Sequence, residues 1–264
     1  RRYEIRGFST AQIDLSSPES TSKLDGIVDR DTTIIMNASA MVKNQDFHLF
    51  KREISMFINL ANPQLLSKIG HLIYVSSHGI YGHRYDSVIT EVSRPKPDNF
   101  YSSAKFIGEL IFTRVCADHN IALTILRPAI IYGRNDFRSP IFKFITNVRL
   151  GKEIEMHGDD STRITLVHKF DLWRIIHSVI NDFKLGDYNV ISDDSDISLV
   201  DLAEMIFKIC GVRTGIKFVS SHKIPLSSKF DTSKFKTDFP GFTFTNLENG
   251  LRDYIDDNSD IKRD

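Results

Sequence analysis

A tyrosine and a lysine stand four residues apart, Tyr101 and Lys105, at the start of a run whose apolar residues recur at helical spacing. Residues i and i+4 share one face of an α-helix, so the two side chains can meet. A nearby ammonium stabilises phenolate and lowers the tyrosine pKa, which makes the phenol a usable proton donor or acceptor near neutral pH. In a chain with 8 Tyr and 34 Lys plus Arg, such a pair also arises by chance. The pair therefore indicates chemistry only if other elements bring reactive groups to it.

Length and composition are those of an ordinary globular protein. The chain has 264 residues, of which 41% are hydrophobic and 26% charged, with a formal net charge of zero. It has no long basic stretch, so binding to nucleic acid is not expected. Its apolar runs are shorter than the roughly 20 residues of a membrane-spanning helix, so no membrane association is expected. Without a secretory signal or a disulfide pattern, we expect a cytoplasmic protein with two free thiols, Cys116 and Cys210.

The first half of the sequence alternates between short β-branched runs and amphipathic stretches. We predict strands at 2–8, 11–15, 32–37, 71–77 and 121–128, and helices at 18–30, 46–66 and 101–120. Strands separated by helices are typical of a parallel sheet that is covered on both faces. The sequence therefore predicts the α/β class, with a doubly wound parallel sheet.

The second half has a mixed pattern. We predict helices at 139–151, 170–184, 199–211 and 245–256, and short strands at 153–157, 164–168, 187–192 and 215–220. This change predicts two parts. Residues 1–135 form the sheet domain, to which elements around 165–192 return, and residues 136–264 form mainly a small mixed α/β lobe.

Polar side chains stand where several predicted strands end. Asn37 ends one strand, Ser77 the next, and Arg127 lies near the end of a third. A doubly wound parallel sheet binds its ligand at the carboxyl ends of its strands. The helix with Tyr101 and Lys105 lies between the last two of these strands in the sequence. We therefore expect one crevice to collect Asn37, Ser77, Tyr101 and Lys105.

Three motifs occur in a telling order: "YVSSHGIYG" at 74–82, "YSSAK" at 101–105 and "LRPAIIYG" at 126–133. Together they resemble the extended short-chain dehydrogenase/reductase family, in its branch of nucleotide-sugar epimerases, dehydratases and reductases. The resemblance covers nearly the whole chain, and its further segments are "IDL" at 13–15, "NASA" at 37–40 and "GDDSTRITLVHKFDL" at 158–172. It implies a Rossmann-like dinucleotide domain, a substrate-binding lobe, NAD(P) as cofactor and a nucleotide sugar as substrate.

The resemblance also implies roles for single residues. Tyr101 would be the general acid/base, Lys105 would lower its pKa and hold the nicotinamide ribose, and Ser77 would hydrogen-bond the reacting oxygen. Hydride transfer at a carbinol carbon requires a proton to move at its oxygen, which these groups could do. The expected dinucleotide contacts are Asp14, Leu15, Asn37, Ala38, Ser39, Tyr101, Lys105, Pro128 and Ile130, and the expected substrate contacts are Ser77, His78 and Arg163.

Two further expectations concern metals and oligomers. His168 and Asp171 could be read as a proton relay or as a metal pair, but no third ligand has suitable spacing, so no metal is expected. Members of the resembled family often form homodimers through the helices that correspond to 46–62 and 101–118. We therefore expect a homodimer of that kind here.

The sequence departs from the family pattern in four places. It contains no Gly-x-x-Gly-x-x-Gly turn, and "YEIRGF" matches the strand that should follow that turn. The dehydratase Asp-Glu pair is replaced by His78 and Gly79, which disfavours a 4,6-dehydratase. The arginine that often holds the substrate diphosphate falls on Ile164, next to Arg163. Ile130 stands where many 4-epimerases have asparagine.

These departures leave three functions open. The leading hypothesis is an NAD(P)-dependent 4-epimerase or 4-keto reductase of a nucleotide sugar. The lack of the glycine turn suggests a non-catalytic relative that binds a ligand or partner, and apolar Ile130 and Ile164 suggest an NADPH-dependent reductase of a non-sugar carbonyl. The segment "RGFST" has no acid where an NAD-selective carboxylate would bind the ribose, which favours NADP over NAD.

Overall fold

The computed structural model describes residues 3–39, 46–82, 87–137, 139–194, 196–219 and 229–257. The α-helices are α1 (Pro18–Thr21), α2 (Phe47–Leu60), α3 (Pro63–Leu66), α4 (Phe100–Asp118), α5 (Pro140–Arg149), α6 (Lys169–Asp182), α7 (Leu199–Cys210), α8 (Ser233–Asp238) and α9 (Leu247–Asp257), and short 3-10 helices span Ser22–Gly26 and His78–Tyr81. The strands are β1 (Thr33–Met36), β2 (His71–Val75), β3 (Ala122–Pro128), β4 (Ile130–Tyr132), β5 (Ile154–His157), β6 (Arg163–Ile164), β7 (Leu166–His168), β8 (Gly186–Val190), β9 (Ile197–Ser198) and β10 (Ile216–Val219).

The largest sheet of the described residues has four strands in the order β1-β2-β3-β8. Strands β1, β2 and β3 run parallel, in a register that pairs Met36 with Tyr74 and Tyr74 with Ile125. Every residue of β2 is buried, as expected for an inner strand of a sheet covered on both faces. The predicted α/β class with a doubly wound parallel sheet is therefore confirmed.

The described chain separates into two compact units. The sheet unit comprises Arg1–Gly82, Arg94–Arg127 and Ile176–Tyr188, and the lobe unit comprises His83–Ser93, Pro128–Ile175 and Asn189–Asp264. In the sheet unit α2 packs against α4, and the core includes Phe57, Leu72, Tyr74, Phe112 and Ile125. In the lobe unit α7 packs against α5 and α9, and the core includes Tyr132, Phe144, Leu202, Leu251 and Tyr254.

Two-stranded pairings complete the lobe unit. Strand β4 runs parallel to β7 and β5 runs parallel to β10, whereas β6 is antiparallel to β9. Strands β4 and β9 and helix α8 are not among the predicted elements, because segments of two to six residues give almost no periodicity. No helix in the described residues is long and apolar enough to cross a membrane.

The two strands predicted at 2–8 and 11–15 are wrong. The described part of the first has no regular structure, and the second begins in a turn in which the Ile13 N–H donates to the Ser9 carbonyl at 2.9 Å. A strand needs a neighbour to satisfy its backbone hydrogen bonds, and no described strand lies beside these residues. Alternating apolar residues alone do not supply that partner.

Two predicted helices have different bounds. The segment 46–66 is not one helix, since Asn62 interrupts it and caps a second helix by accepting the Gln64 N–H at 2.8 Å. Pro63 follows as the first residue of that second helix, where its missing N–H does no harm. The segment 18–30 is helical only as far as Gly26. Pro18–Thr21 is α-helical, and Ser22–Gly26 is a 3-10 helix.

Candidate active site

Tyr101 lies in the first turn of α4, and that turn is fixed by its cap. The Asn99 side chain accepts the Ser102 N–H at 2.9 Å, while the Ser102 hydroxyl oxygen accepts the Asn99 N–H at 3.3 Å. This reciprocal capping box satisfies two backbone donors that have no carbonyl partner within the helix. The local sequence therefore sets where α4 begins and where the tyrosine stands.

Lys105 follows one turn later, buried against β2 with only 4% of its side chain exposed. Its Nζ donates to the Val75 carbonyl at 3.2 Å, and the Tyr74 hydroxyl donates to the Lys105 carbonyl at 3.2 Å. The close approach of α4 to β2 requires Gly108, because a Cβ at that position would lie 2.4 Å from the Tyr74 hydroxyl oxygen. Gly108 thus allows α4 to pack closely enough on β2 for Lys105 to reach the carboxyl end of that strand.

Ser77 completes a group of three. It is buried, it follows β2, and its hydroxyl caps the next 3-10 helix by accepting the Gly79 N–H at 3.1 Å. Its side chain is close enough to Tyr101 to act on the pKa of the phenol, and the Lys105 Nζ lies 5.9 Å from the centre of the Tyr101 ring. The structure therefore brings Ser77, Tyr101 and Lys105 together at the carboxyl end of β2.

The pKa of the Tyr101 phenol is raised above its ordinary value. Burial is the main cause, the Ser77 side chain acts in the opposite direction, and the Glu53 charge adds to the rise. Because 37% of the side chain is exposed, solvent screens part of this effect. The expected lowering of the Tyr101 pKa by Lys105 is not found in this structure. Burial lowers the pKa of Lys105 itself, and the Glu53 charge opposes that loss.

Glu53 is a residue of this site that the sequence reasoning missed. It is fully buried on α2, and its Oε1 lies 3.8 Å from the Lys105 Nζ. The Ser39 hydroxyl reaches both carboxylate oxygens, at 3.0 and 2.8 Å. The sequence contains a sign that Glu53 is buried, because this glutamate lies in the apolar stripe of its helix. The other buried residues of that stripe are Met56, Phe57 and Leu60.

The predicted adenine-side residues lie in a turn that is tied to α2. Asp14 accepts hydrogen bonds from the Ser16 N–H and hydroxyl, at 2.9 and 2.7 Å, and these bonds are the main reason why its pKa is lowered. The Arg52 guanidinium lies 3.2 Å from the other Asp14 oxygen. Asn59 donates to the Leu15 carbonyl at 2.8 Å. Side chains of α2 therefore hold Asp14 and Leu15 in place.

The residues predicted after β1 lie at the same edge of the sheet as Ser77. Asn37 follows Met36, which is in register with Tyr74, so Asn37 stands beside the end of β2. Asn37 and Ser39 are exposed and Ala38 is half-buried. Through its bond to Glu53, Ser39 connects the end of β1 with the surroundings of Lys105.

The remaining predicted contacts are described by position alone. In the sheet unit, His78 is half-buried at the start of a 3-10 helix. In the lobe unit, Pro128 is buried at the end of β3 and Ile130 is half-buried at the start of β4. Arg163 donates from Nε to Asp196 Oδ1 at 2.9 Å and from Nη2 to the Asp196 carbonyl at 2.6 Å. Arg163 is therefore an ion-paired residue of the lobe unit.

Asp171 has a structural environment. It is fully buried, accepts the Thr245 N–H and hydroxyl at 2.9 and 2.8 Å, and also binds Arg174. In the part of the chain that the structure describes, no group of three or more His, Cys, Asp and Glu could hold a metal ion. The contacts of Asp171 thus anchor the segment before α9.

Arg127 anchors the helix that carries the tyrosine and lysine. Its Nε and Nη2 donate to the two Glu109 oxygens at 2.9 and 2.8 Å, its Nη1 donates to the Tyr81 hydroxyl at 3.0 Å, and Nη2 also reaches Asp187 at 2.6 Å. Glu109 lies one helical turn after Lys105. This buried cluster, all within the sheet unit, joins β3, α4 and β8.

Comparison with known proteins identifies the family. The model of the NAD dependent epimerase/dehydratase family matches residues 2–190, and the chain belongs to that family. Among curated relatives, it is 26% identical over 145 residues to a dTDP-glucose 4,6-dehydratase of Streptomyces niveus, covering 54% of this chain and 43% of the relative. It is 27% identical over 198 residues to a dTDP-4-dehydro-6-deoxy-D-allose reductase of Streptomyces bikiniensis, covering 67% of this chain and 59% of the relative.

Solved structures share the fold. The dTDP-glucose 4,6-dehydratase of Bacillus anthracis, in complex with NAD, superposes with a TM-score of 0.80 at 20% identity over 92% of this chain and 77% of that one. RMD from Pseudomonas aeruginosa, complexed with NADPH, gives a TM-score of 0.81 at 17% identity over 93% and 86%. The chain spans less than half of the length of the dehydratases among its curated relatives.

Proposed function

We propose that this protein is an NAD(P)-dependent enzyme that acts at C4 of a nucleotide-activated sugar, as a 4-keto reductase or a 4-epimerase. The observation that carries the proposal is the meeting of Ser77, Tyr101 and Lys105 at the carboxyl end of β2. Two hydroxyls beside a buried ammonium can exchange a proton with a substrate oxygen. Ligands of parallel α/β sheets bind at that edge.

The residues present fit the nicotinamide half of a dinucleotide. An ammonium has three N–H donors, and the Lys105 Nζ makes one hydrogen bond shorter than 3.5 Å in the described chain, to Val75. It can therefore also bind ribose hydroxyls. Asn37, Ser39 and the turn at Asp14 are the further dinucleotide contacts of this proposal. When bound, NAD(P) supplies the hydride carrier that amino-acid side chains lack. The absence of an acid in "RGFST" favours NADPH over NADH.

The proton chemistry falls to Tyr101 and Ser77. In the reductive direction the Tyr101 hydroxyl donates its proton to the carbonyl oxygen at C4, while that carbon receives hydride. Ser77 hydrogen-bonds the same oxygen and holds it beside the phenol. The raised pKa of Tyr101 keeps the phenol protonated before the reaction, which suits a proton donor.

Dehydration is disfavoured by the residues that follow Ser77. Elimination of water needs an acid and a base beside the sugar, and the family's dehydratases carry an Asp-Glu pair there. This chain has His78 and Gly79, and a glycine has no group that could transfer a proton. The two dTDP-4-dehydro-6-deoxy-D-allose reductases match longer stretches of this chain than the dehydratase of Streptomyces niveus does: 198 and 214 residues against 145. This similarity supports the reductase hypothesis.

The test combines cofactor titration with product analysis. Purified protein is titrated with NADPH and NADH by nicotinamide fluorescence, and then incubated with dTDP- and UDP-linked sugars and 4-keto sugars. Consumption of NADPH by a 4-keto sugar supports a reductase, and interconversion of sugars without net consumption supports a 4-epimerase. Turnover of a non-sugar carbonyl instead would overturn the substrate assignment, and failure to bind either dinucleotide would favour the non-catalytic relative.

A further inference from the structure

Glu53 and Lys105 form a buried pair of opposite charges beneath the candidate catalytic tyrosine. Glu53 is 0% and Lys105 3% exposed, and their Oε1 and Nζ atoms lie 3.8 Å apart. A buried ammonium without a counter-charge loses its proton readily, whereas an opposite charge at this distance favours the charged form. The position of Glu53 thus bears directly on the state of Lys105.

We propose that Glu53 is a positioning residue of the active site, whose carboxylate holds the Lys105 ammonium at the end of β2 and keeps it charged. The inference rests on the proposed function, since it assigns Lys105 to the dinucleotide ribose. Glu53 touches neither substrate nor cofactor in this scheme. It acts through Lys105, so its removal changes the lysine first and cofactor binding as a consequence.

The other groups that face Lys105 do not supply that charge. The Tyr74 and Tyr101 rings lie 5.5 and 5.9 Å from its Nζ, and both phenols have raised pKa values, so they are neutral. Glu109, one helical turn further along α4, is bound through both oxygens by Arg127. Burial lowers the Lys105 pKa and Glu53 raises it, which agrees with the proposed division of roles.

The carboxylate itself is held in place. The Ser39 hydroxyl donates to it, and the apolar side chains beside Glu53 on α2 pack into the core of the sheet unit. Ser39 follows β1 at the edge where the dinucleotide is proposed to bind. Glu53 therefore links that edge to Lys105.

The experiment compares Glu53→Gln with wild type in the purified protein. Glutamine keeps the shape and can still accept a hydrogen bond from Ser39, but it removes the charge. Lysine carrying a ¹³C label allows the Lys105 amine to be titrated by NMR, and NADPH titration gives the affinity. We expect Lys105 in the variant to lose its proton at lower pH than in wild type, and the affinity for NADPH to fall roughly tenfold or more.

Kinetics with the identified substrate add a second readout. The alkaline limb of the rate profile should move to lower pH in Glu53→Gln, and the KM for NADPH should rise more than kcat falls. Glu53→Asp keeps the charge but places it one methylene further from Lys105. Its alkaline limb and its KM for NADPH should lie between those of wild type and Glu53→Gln. Lys51→Gln, an exposed change on the same helix, should match wild type throughout.

Two results would overturn the inference. One is an unchanged Lys105 titration in Glu53→Gln. The other is a variant that is merely less stable, with wild-type affinity and rate where it is folded. If Glu53→Gln does not fold, Glu53→Asp decides, because an unchanged titration there also overturns the proposal. If no form of the protein acts on a nucleotide sugar, the proposed function fails, while the Lys105 titration still tests Glu53.

Discussion

Arg127 binds Glu109 through two parallel hydrogen bonds, from Nε at 2.9 Å and from Nη2 at 2.8 Å. Both side chains are nearly inaccessible, at 5% and 3% exposure. A planar guanidinium matches a carboxylate in this fork geometry, which makes such pairs directional as well as strong. The pair fastens α4 to the carboxyl end of β3, one helical turn from Lys105.

Removal of the guanidinium should destabilise the protein strongly. Arg127→Met leaves the Glu109 carboxylate buried without its partner, and we expect a loss of about 3–5 kcal/mol in the free energy of unfolding. Urea denaturation measures this loss. Arg114→Met, which breaks an exposed pair with Asp118 on the same helix, should cost less than about 1 kcal/mol. Equal losses of unfolding free energy in the two variants would show that the buried pair stabilises the protein no more than the exposed pair does.

Tyr101→Phe should separate catalysis from folding. The change removes one hydroxyl and keeps the ring, so the free energy of unfolding should shift by about 1 kcal/mol or less. The rate of turnover should fall by roughly two to four orders of magnitude, while the dinucleotide affinity should change little. Tyr3→Phe makes the same chemical change at a hydroxyl bound to Asn181, and it should leave the rate unchanged. Near wild-type turnover by Tyr101→Phe would refute the acid/base role.

Lys105→Met should behave differently from Tyr101→Phe. It removes the proposed ribose contact together with the cation that faces Glu53, so both rate and dinucleotide affinity should fall. The free energy of unfolding should also fall, because the Glu53 carboxylate is left buried without its counter-charge. NADPH titration and steady-state kinetics give the two losses. A variant with normal affinity and a reduced rate would assign Lys105 to the proton chemistry alone.

The stability of the sheet unit should depend on pH through His71. Thr124 donates its hydroxyl proton to the Lys184 carbonyl, so it accepts from the His71 Nε2–H at 2.8 Å, and the buried Nδ1 has no hydrogen-bond partner among the residues that the structure describes. Burial lowers the pKa of His71 to about 4. Between about pH 6.5 and 4 the unfolded chain therefore binds a proton that the folded chain does not.

Stability should accordingly fall as the pH drops through that window, by up to about 3 kcal/mol, with no further loss from this group below about pH 4. Urea denaturation at pH 7 and near pH 4.5 measures the difference. His71→Gln should reduce the pH dependence, whereas His119→Gln, at an exposed site, should retain it. The same slope in both variants would assign the effect to other groups.

The homodimer predicted through α2 and α4 can be tested at their exposed faces. Ile58 on α2 and Leu110 on α4 are 58% and 55% exposed, although the two helices pack against each other. We expect Ile58→Asp combined with Leu110→Asp to convert a dimer to a monomer, because charges resist burial in an interface. Light scattering after gel filtration gives the mass. Phe218→Asp, an exposed aromatic residue of the lobe unit, serves as the control that should leave the mass unchanged.

Much of the fold follows from local sequence. The buried strand β2 is a continuous apolar run, and the predicted elements from β1 onward, apart from the helix predicted at 46–66, lie within two residues of their expected ends except where 164–168 divides into two short strands. The strands predicted at 2–8 and 11–15 failed because a strand depends on a neighbour. The break at Asn62 was readable in advance, since a cap residue followed by proline is a helix-start signal.

The candidate site was only partly predictable for a similar reason. Ser77, Tyr101 and Lys105 are carried by short motifs, so their meeting could be anticipated. Glu53 lies 52 residues before Lys105 in the sequence, and its pairing depends on how α2 packs against α4. The direction of the Tyr101 pKa also depends on burial, which a sequence motif does not contain.

The capping box at the start of α4 bears on how often the first turn of this helix opens. Helix ends fray because their outer N–H groups lack partners within the helix, and Tyr101 is the second residue of its helix. Asn99 and Ser102, which bind no ligand in the proposed scheme, satisfy two of these donors. We expect loss of this cap to open the first turn more often and so to shorten the time for which the phenol stays in place, and amide hydrogen exchange at Ser102 would record that change.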